Sequence, residues 1–418
     1  MRRIALLAGV LMEFVFLAFS VSCTNEADSI RSDSKASKKK ATLLIYMAAD
    51  NDLETYALWN IKMMERSKPD SVNILVLVDR AEGYDETEGN WTDTRLFQIV
   101  RDKSTDSSIK SKRLKCPQLG LSETENTELD MTNPSVLKTF IEFGKTNYEA
   151  ENYALIIWGH GNGWQAVTID ERSSAYMSLH DLGNAVRGQG LCVIGFDSCF
   201  GGVLENVYEI KDCAEYTVAC PGITSSSGWN YSILLEELSK NECDAKNIAE
   251  AIAVSSSQLL IFKNEKLGDL FNCFENFSRQ LAVSITDSTS QQRILSELTN
   301  SNTYSYTQNP CDLYLDIISA AENFSSSSYS AEIRTAAINL KTLADQTVYS
   351  SVSVQKGIGV HLIPKSSSGA MAGTHSIDYL KDSGRADQPA FIKESLWWVP
   401  TSGGHSGSLL DKLFYTIY

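Results

Sequence analysis

Nearly continuous apolar runs recur along the chain from residue 41 onward. Four of them, Thr42–Ala48, Val72–Val78, Tyr153–Trp158 and Leu191–Phe196, show little alternation with polar residues. This pattern is typical of strands that are buried on both faces of a sheet. A fifth buried strand is predicted at Tyr216–Ala219.

Segments with helix signals separate these strands. One helix is predicted from the polar turn after the first strand to about Arg66, and another begins at Asn133, a favourable cap that is followed by proline. Further helices are predicted at Ser178–Arg187 and Gly202–Ile210. Strands joined by helices in this rhythm predict a three-layer α/β/α sandwich with a mostly parallel central sheet.

The other segments of the domain carry weaker patterns. Thr94–Arg101 alternates apolar and polar residues and is predicted as a hairpin strand, whereas residues 102–131 are predicted as loop. Residues 231–350 are predicted to form a largely helical insertion, and Gly357–Ile363 a late strand that returns to the same sheet. Residues 41–418 are thus expected to form the folded domain.

The N-terminus has the pattern of an export signal. Two arginines precede the apolar stretch Ile4–Val21, and Ser22 then precedes Cys23. Residues 1–22 are predicted to be a lipoprotein signal peptide, with Cys23 as the lipidated first residue of the mature chain. A cleaved secretory signal and an uncleaved membrane anchor are the alternatives. Residues 23–40, polar and rich in Ser and Lys, would form a flexible tether.

Charge and composition exclude several classes of function. The net charge of −15 argues against nucleic acid as a partner, because a phosphate backbone selects a basic face. Nine cysteines occur without a C-x-x-C pair or a zinc pattern, and the five histidines include no H-E-x-x-H motif. We therefore expect no catalytic metal. A serine hydrolase is disfavoured too, since the G-x-S-x-G elbow is absent.

A histidine and a cysteine follow two successive predicted strands. Gly159, His160 and Gly161 come after the third strand, and Asp197, Ser198 and Cys199 after the fourth. In an open parallel sheet, ligands bind beyond the carboxyl ends of the strands. Neighbouring strands lie about 5 Å apart, so the two loops could converge.

A converging cysteine and histidine could perform nucleophilic catalysis. The imidazole of His160 would take the proton of the Cys199 thiol, since the thiolate is the nucleophile. The main-chain N–H groups of Gly161 and Cys199 are candidates to stabilise an oxyanion. From position alone a second interpretation stays open, in which Cys199 packs in the core and His160 is structural.

Several segments resemble the clostripain family of cysteine peptidases, which is grouped with caspases, legumains and gingipains. The segments that carry the resemblance are Leu43–Glu54, Ile156–Trp164, Gly195–Ile210 and Ser227–Tyr231, with a weaker one at Gly357–Pro364. The resemblance implies a caspase-like fold and a cysteine-type endopeptidase. It assigns Cys199 as the nucleophile and His160 as the general base of a dyad.

The resemblance also implies a substrate pocket formed by Asp197, Ser227 and Trp229. In relatives that cleave after Arg or Lys, an acidic residue precedes the Gly-Trp pair, but here that residue is Ser227. A guanidinium would then face Asp197 alone, which leaves cleavage after Arg or Lys and cleavage after uncharged residues both open. Some relatives cleave themselves in the loop after the catalytic histidine, and here Arg172 is the nearest basic candidate for such self-cleavage.

Taken together, the sequence predicts an enzyme that hydrolyses peptides or proteins at the bacterial cell envelope, lipid-anchored or secreted. We expect the membrane to be contacted through the lipid on Cys23, and no cofactor in the chemistry. Calcium dependence is implied only by the resemblance. The competing hypothesis is a surface binding protein that retains the peptidase fold but has no activity.

Overall fold

The structure, a computed structural model, describes residues 38–104, 108–304, 314–350, 357–362, 389–395, 397 and 408–414. The predicted signal peptide, the lipidated Cys23 and most of the tether fall outside the described residues, so they stay predictions. None of the helices within these ranges is long and apolar enough to cross a membrane.

Fourteen strands occur in the described ranges. They are β1 Lys39–Ala49, β2 Val72–Arg80, β3 Arg95–Gln98, β4 Lys112–Leu114, β5 Ala150–Gly159, β6 Thr168–Asp170, β7 Ala175–Met177, β8 Val193–Asp197, β9 Tyr216–Ala219, β10 Leu260–Lys263, β11 Thr303–Tyr304, β12 Tyr314–Asp316, β13 Val348–Tyr349 and β14 Gly359–His361.

Twelve α-helices accompany them in the same ranges. They are α1 Glu54–Ser67, α2 Pro134–Asn147, α3 Leu179–Val186, α4 Leu204–Glu209, α5 Tyr231–Lys240, α6 Ala245–Ala253, α7 Leu267–Ser284, α8 Ser288–Thr299, α9 Ile317–Phe324, α10 Ala331–Thr347, α11 Ala390–Glu394 and α12 Leu409–Phe414.

The central sheet has nine strands in the order β13-β10-β9-β8-β5-β1-β2-β3-β4. The five consecutive strands β9, β8, β5, β1 and β2 run parallel to one another, and the antiparallel pairs lie toward the two edges. The predicted mostly parallel α/β sheet is therefore confirmed. The apolar runs predicted a parallel sheet because helices cover both of its faces, so the side chains on both sides of each central strand are apolar.

The central strands bury alternate side chains in two separate cores. Leu44 and Tyr46 of β1 contribute to one core, together with residues of α2, α3, α4, α7 and α10. Leu43, Ile45 and Met47 contribute to the other, which includes residues of α1, α5 and α6. This alternation follows from the two-residue period of a strand, and it gives the three layers.

Two expectations about the second half of the chain need correction. Residues 231–350 are largely helical, as predicted, but they are not only an insertion, because β10 and β13 extend the central sheet beyond β9. The late strand does not return to that sheet: β14 pairs with β12 in a separate three-stranded sheet of order β11-β12-β14. The end of the central sheet next to β9 is already filled by β10.

Two local predictions can be compared with the structure. The helix predicted at Asn133 is α2, and the Asn133 side chain accepts a hydrogen bond from the N–H of Ser135 at 2.9 Å. The stretch predicted as loop at residues 102–131 contains the short strand β4, which pairs with β3. Three residues are too few to show a strand period.

Candidate active site

His160 and Cys199 leave the same edge of the central sheet. His160 follows the last residue of β5, and Cys199 comes two residues after the end of β8. The two strands are parallel neighbours, with Trp158 opposite Asp197. The structure thus brings together the two loops that the sequence singled out.

Gly161, in the loop that carries His160, packs against the loop that carries Cys199. A Cβ atom at this position would lie 2.6 Å from the carbonyl oxygen of Cys199 and 2.9 Å from Oγ of Ser198. Since both distances are shorter than real Cβ contacts, the main chain of Gly161 lies directly against Ser198 and Cys199. Glycine is needed here because any side chain would push the two loops apart.

The thiol of Cys199 is half-buried and lies against the loop after β9. Its Sγ accepts a hydrogen bond from the main-chain N–H of Thr224 at 3.4 Å, and Oγ1 of Thr224 lies 3.7 Å away. The loop after β9 therefore contacts the side chain of Cys199 directly.

Asp52 contacts His160, although the sequence analysis did not single it out. Oδ1 of Asp52 lies 2.6 Å from Nε2 of His160, and the two side chains are 61% and 37% exposed. Asp52 belongs to the turn after β1, which pairs with β5. The signal was available in the sequence, since a polar turn after a neighbouring strand must lie at the same sheet edge.

Hydrogen bonds fix the turn that carries Asp52. The Asn51 side chain donates to the carbonyl of Ala48 at 3.1 Å and accepts from the N–H of Leu53 at 3.1 Å. The carbonyl of Asp50 accepts from the N–H of Glu171 at 3.0 Å. Asp52 is therefore presented to His160 from a braced turn.

Asp197 is buried beneath the candidate site. Its Oδ2 accepts hydrogen bonds from the N–H of Trp229 and the hydroxyl of Tyr231, both at 3.0 Å. Burial raises the pKa of Asp197 to about 7, and these two hydrogen bonds oppose the rise. Its Oδ1 is also buried and has no hydrogen-bond partner in the described part of the chain.

Ser227 and Trp229 flank a tightly placed glycine. Gly228 has a φ of +68°, and a Cβ there would lie 2.9 Å from Oδ2 of Asp197. The carbonyl of Ser227 accepts a hydrogen bond from the Asn60 side chain at 3.1 Å. The side chain of Trp229 lies in the core, only 1% exposed, so the structure places Asp197 and Trp229 inside and Ser227 nearer the surface.

Arg172 lies in the turn between β6 and β7. Its guanidinium pairs with Glu128 at 2.5 Å, and its N–H donates to Oδ2 of Asp50 at 2.9 Å. The N–H of Ser173 donates to Oδ1 of Asp170 at 2.8 Å. The peptide bond after Arg172 is therefore held in a closed turn.

The three-stranded sheet β11-β12-β14 contacts both the loop that carries His160 and the loop that carries Cys199. The hydroxyl of Tyr314 on β12 donates to the carbonyl of Asn162 at 3.2 Å, and the Tyr314 ring stacks on Phe200 with centroids 5.0 Å apart. Tyr314 thus contacts one residue just after His160 and one just after Cys199. Sequence reasoning missed it, because β12 is remote along the chain and has no local motif.

Comparisons with known proteins agree with this architecture. The model of the clostripain family matches residues 45–388. Clostripain of Hathewaya histolytica is 29% identical over 243 residues, which cover 51% of this chain and 45% of clostripain. This chain therefore matches less than half the length of that relative.

Solved structures of C11 proteases share the fold. An inactive zymogen from Parabacteroides distasonis gives a TM-score of 0.55 at 19% identity, over 78% of this chain and 89% of its own. A secreted C11 cysteine protease from Bacteroides thetaiotaomicron, in complex with an irreversible peptide inhibitor, gives a TM-score of 0.57 at 16% identity. The match covers 81% of this chain and 96% of that protease. Because the family model spans most of the chain and the folds agree, this chain belongs to the clostripain family.

Proposed function

We propose that the protein is a cysteine endopeptidase in which Cys199 is the nucleophile and His160 the acid/base. The observation that carries this proposal is the packing of the two loops at one sheet edge, where Gly161 lies against the main chain of Cys199. A peptide carbonyl bound at this edge would meet the two loops that carry the nucleophile and the acid/base.

The proposed reaction uses only groups of this chain, so we propose no cofactor for its chemical steps. His160 takes the thiol proton, and the Cys199 thiolate attacks the carbonyl carbon of the peptide bond. The N–H groups of Gly161 and Cys199 stabilise the oxyanion. The C–N bond breaks as His160 protonates the leaving amine, and water then hydrolyses the thioester and releases the thiolate.

Asp52 is proposed to position His160. With its carboxylate 2.6 Å from Nε2, it would hold that nitrogen protonated and leave Nδ1 to exchange a proton with the thiol or the amine. A carboxylate on one ring nitrogen fixes which nitrogen carries the proton. Cys199 and His160, the dyad that the family resemblance implies, would then act together with Asp52.

The P1 preference is proposed to depend on Asp197. Its Oδ1 is a buried acceptor without a hydrogen bond in the described ranges, and the cationic side chain of Arg or Lys would satisfy it. Because Asp197 is only 4% exposed, the loop that contains Ser227 and Gly228 must move for a substrate to reach it. Trp229 would shape this pocket through its main chain.

Self-cleavage after Arg172 would need the β6–β7 turn to open. The N–H of Arg172 and the N–H of the scissile bond itself, on Ser173, are bonded to carboxylates, and the guanidinium is paired with Glu128. Mass spectrometry of the full chain tests this directly. A cut after Arg172 that is absent from Cys199→Ala would support self-cleavage, and an intact active enzyme would exclude it as a requirement.

The protein is further proposed to be exported and held at the cell envelope through a lipid on Cys23. The support is the sequence pattern of residues 1–23. Incorporation of a labelled fatty acid into the full chain, and its loss in Cys23→Ser, would support the anchor. Cleavage after residue 22 without lipid would indicate a secretory signal instead.

A fluorogenic peptide library assayed with the full chain tests the proposed activity. We expect hydrolysis with a preference for Arg or Lys at P1, and none with Cys199→Ala. Activity that survives this substitution would refute the mechanism. A folded protein that cleaves nothing would favour the silent binding protein, and a preference for uncharged P1 residues would refute the role of Asp197.

A further inference from the structure

Positively charged side chains gather at the edge of the central sheet opposite the candidate active site. A cavity of about 580 Å³ lies there, and its charged lining residues are Arg66, Lys68, Asp70, Arg101, Lys103 and Glu236. The side chain of Lys39 reaches the same place, because its Nζ donates to the carbonyl of Asp70 at 2.6 Å. We refer to Lys39, Arg66, Lys68, Arg101 and Lys103 as the basic patch.

Strand directions place the basic patch away from the candidate active site. Lys39 is the first residue of β1, and Lys68 lies in the loop from α1 to the start of β2, which runs parallel to β1. β3 runs antiparallel to β2, so Arg101 follows β3 at this same edge. The N–H of Asp102 donates to the carbonyl of Glu65, near the end of α1, at 2.9 Å. The candidate active site lies beyond the opposite, carboxyl ends of the parallel strands.

The cations of the basic patch are not neutralised by carboxylates. Within the ranges that the structure describes, none of them forms an ion pair, and three of them, Arg66, Arg101 and Lys103, are exposed. Elsewhere the chain does pair its cations, as it does at Arg80 and Arg172. Since four cations and two carboxylates line the cavity, this part of the surface is positively charged.

The cations also lie close enough to repel one another. Burial lowers the pKa of Lys68, and the positive charges of Lys39 and Arg101 lower it further, whereas Asp70 opposes the change. Like charges held together in this way are unfavourable unless an anion compensates them. The basic patch is therefore suited to a partner that presents several negative charges over a surface.

We infer that the basic patch docks the protein on the anionic surface of the bilayer that carries its lipid anchor. Clusters of Lys and Arg bind anionic lipid headgroups, and the attraction acts within a Debye length of about 8–10 Å. The whole chain has a net charge of −15, so an anionic bilayer would repel its acidic faces and favour the orientation in which the basic patch meets the headgroups.

The place of the basic patch in the chain favours this bilayer over a soluble anion. Residues 24–38 alone separate Cys23 from Lys39, and a segment of that length spans about 55 Å when it is fully extended. A lipid on Cys23 would keep the basic patch near the bilayer, which raises its effective concentration there. Docking in this orientation would turn the candidate active site toward substrates in solution. The inference rests on the proposed lipid anchor and is independent of the proposed peptidase activity.

Sedimentation with lipid vesicles tests the docking separately from the anchor. The protein is the mature chain, residues 23–418 with Cys23→Ser, which keeps every described residue but cannot be lipidated. We expect it to sediment with vesicles of phosphatidylglycerol and phosphatidylcholine at about 0.1 M salt, and not with phosphatidylcholine alone. It should be released at about 1 M salt, where the Debye length falls to about 3 Å.

Two double variants of this chain locate the binding surface. Arg101→Gln with Lys103→Gln should weaken vesicle binding about 25-fold, because each cation near an anionic surface contributes about fivefold. Lys115→Gln with Lys138→Gln removes the same charge elsewhere and should bind like the unsubstituted chain. Lys115 follows β4 at the active-site edge, and Lys138 lies in α2; both are exposed. Since all four positions are at the surface, both variants should unfold at the temperature of the unsubstituted chain.

The outcomes separate docking from its alternatives. Absence of binding to anionic vesicles, equal binding to neutral ones, or an equal loss in the two double variants would overturn the inference. Calorimetric binding of inorganic phosphate without binding of vesicles would also overturn it, because the cavity would then hold a soluble anion. Vesicle binding without incorporation of fatty acid into the full chain would refute the proposed lipid anchor alone.

Discussion

Gly163→Ala should destabilise the contact between Tyr314 and the loop that follows His160 in two ways, through backbone strain and through overlap with the Tyr314 ring. Gly163 has a φ of +59°, and a Cβ there would overlap Oη of Tyr314 and lie 2.5 Å from its Cζ. The left-handed backbone alone costs about 1–2 kcal/mol for a residue with a Cβ. Overpacking adds about 1–3 kcal/mol. We therefore expect a total loss of about 2–5 kcal/mol in the free energy of unfolding.

Gly188→Ala is the matched control. Gly188 has a similar φ of +73°, but a Cβ there would meet nothing within 4 Å. The Gly188→Ala variant should lose about 1–2 kcal/mol in the free energy of unfolding, and its peptidase activity should be unchanged. Urea unfolding of both variants gives the difference, which measures the overlap with Tyr314.

Activity provides the second measurement. If Tyr314 is pushed away from Asn162, the loop that carries His160 shifts, and a shift near 1 Å can lower the rate about 100-fold. Adding Tyr314→Ala to Gly163→Ala removes the overlapped ring, so the two stability losses should not add. A Gly163→Ala variant as stable and active as Gly188→Ala would refute the proposed role of this contact.

Three further predictions concern Asp52, Asp197 and Ser227. Asp52→Asn should lower kcat/KM by about 10- to 100-fold and alter its pH profile, with partial recovery in Asp52→Glu; an unchanged profile would exclude the positioning role. Burial raises the pKa of Asp197 from 3.8 to about 7, so the folded state binds more protons between these values and its stability should fall as pH rises from 4 to 7. In Asp197→Asn this contribution, about 4 kcal/mol at most, should disappear from the pH dependence of urea unfolding, and a wild-type dependence in the variant would contradict the assignment. Ser227→Asp should increase selectivity for Arg over uncharged P1 residues about tenfold, equivalent to about 1.4 kcal/mol, as measured by kcat/KM for matched peptides; equal selectivity would place Ser227 outside the pocket.

The central sheet and the meeting of two loops could be predicted because their signals are local. A strand such as β2 is an unbroken apolar run, and His160 directly follows β5 in the sequence. Asp52 could have been inferred from the same rule, since it follows β1. The position of a residue after a parallel strand predicts the edge of the sheet at which it lies. It does not predict which side chains are in contact there.

Other features depend on packing between distant segments. The pairing of β14 with β12 and the stacking of Tyr314 on Phe200 join residues that share no motif. Asp50, Asp79 and Glu128 likewise come together from a turn, the end of a strand and a loop. Asp79 ends an apolar run, where its charge resembles an ordinary strand boundary. Only the fold reveals that its carboxylate is fully buried.

Labelling of the full chain with a peptide that carries a thiol-reactive electrophile tests whether Cys199 is a nucleophile that His160 activates. Mass spectrometry locates the label, and Cys273 is the internal control, a half-buried cysteine whose thiol pKa is raised by burial. We predict rapid labelling of Cys199, little labelling of Cys273, and markedly slower labelling of Cys199 in His160→Ala. An unlabelled Cys199, or equal rates with and without His160, would contradict it.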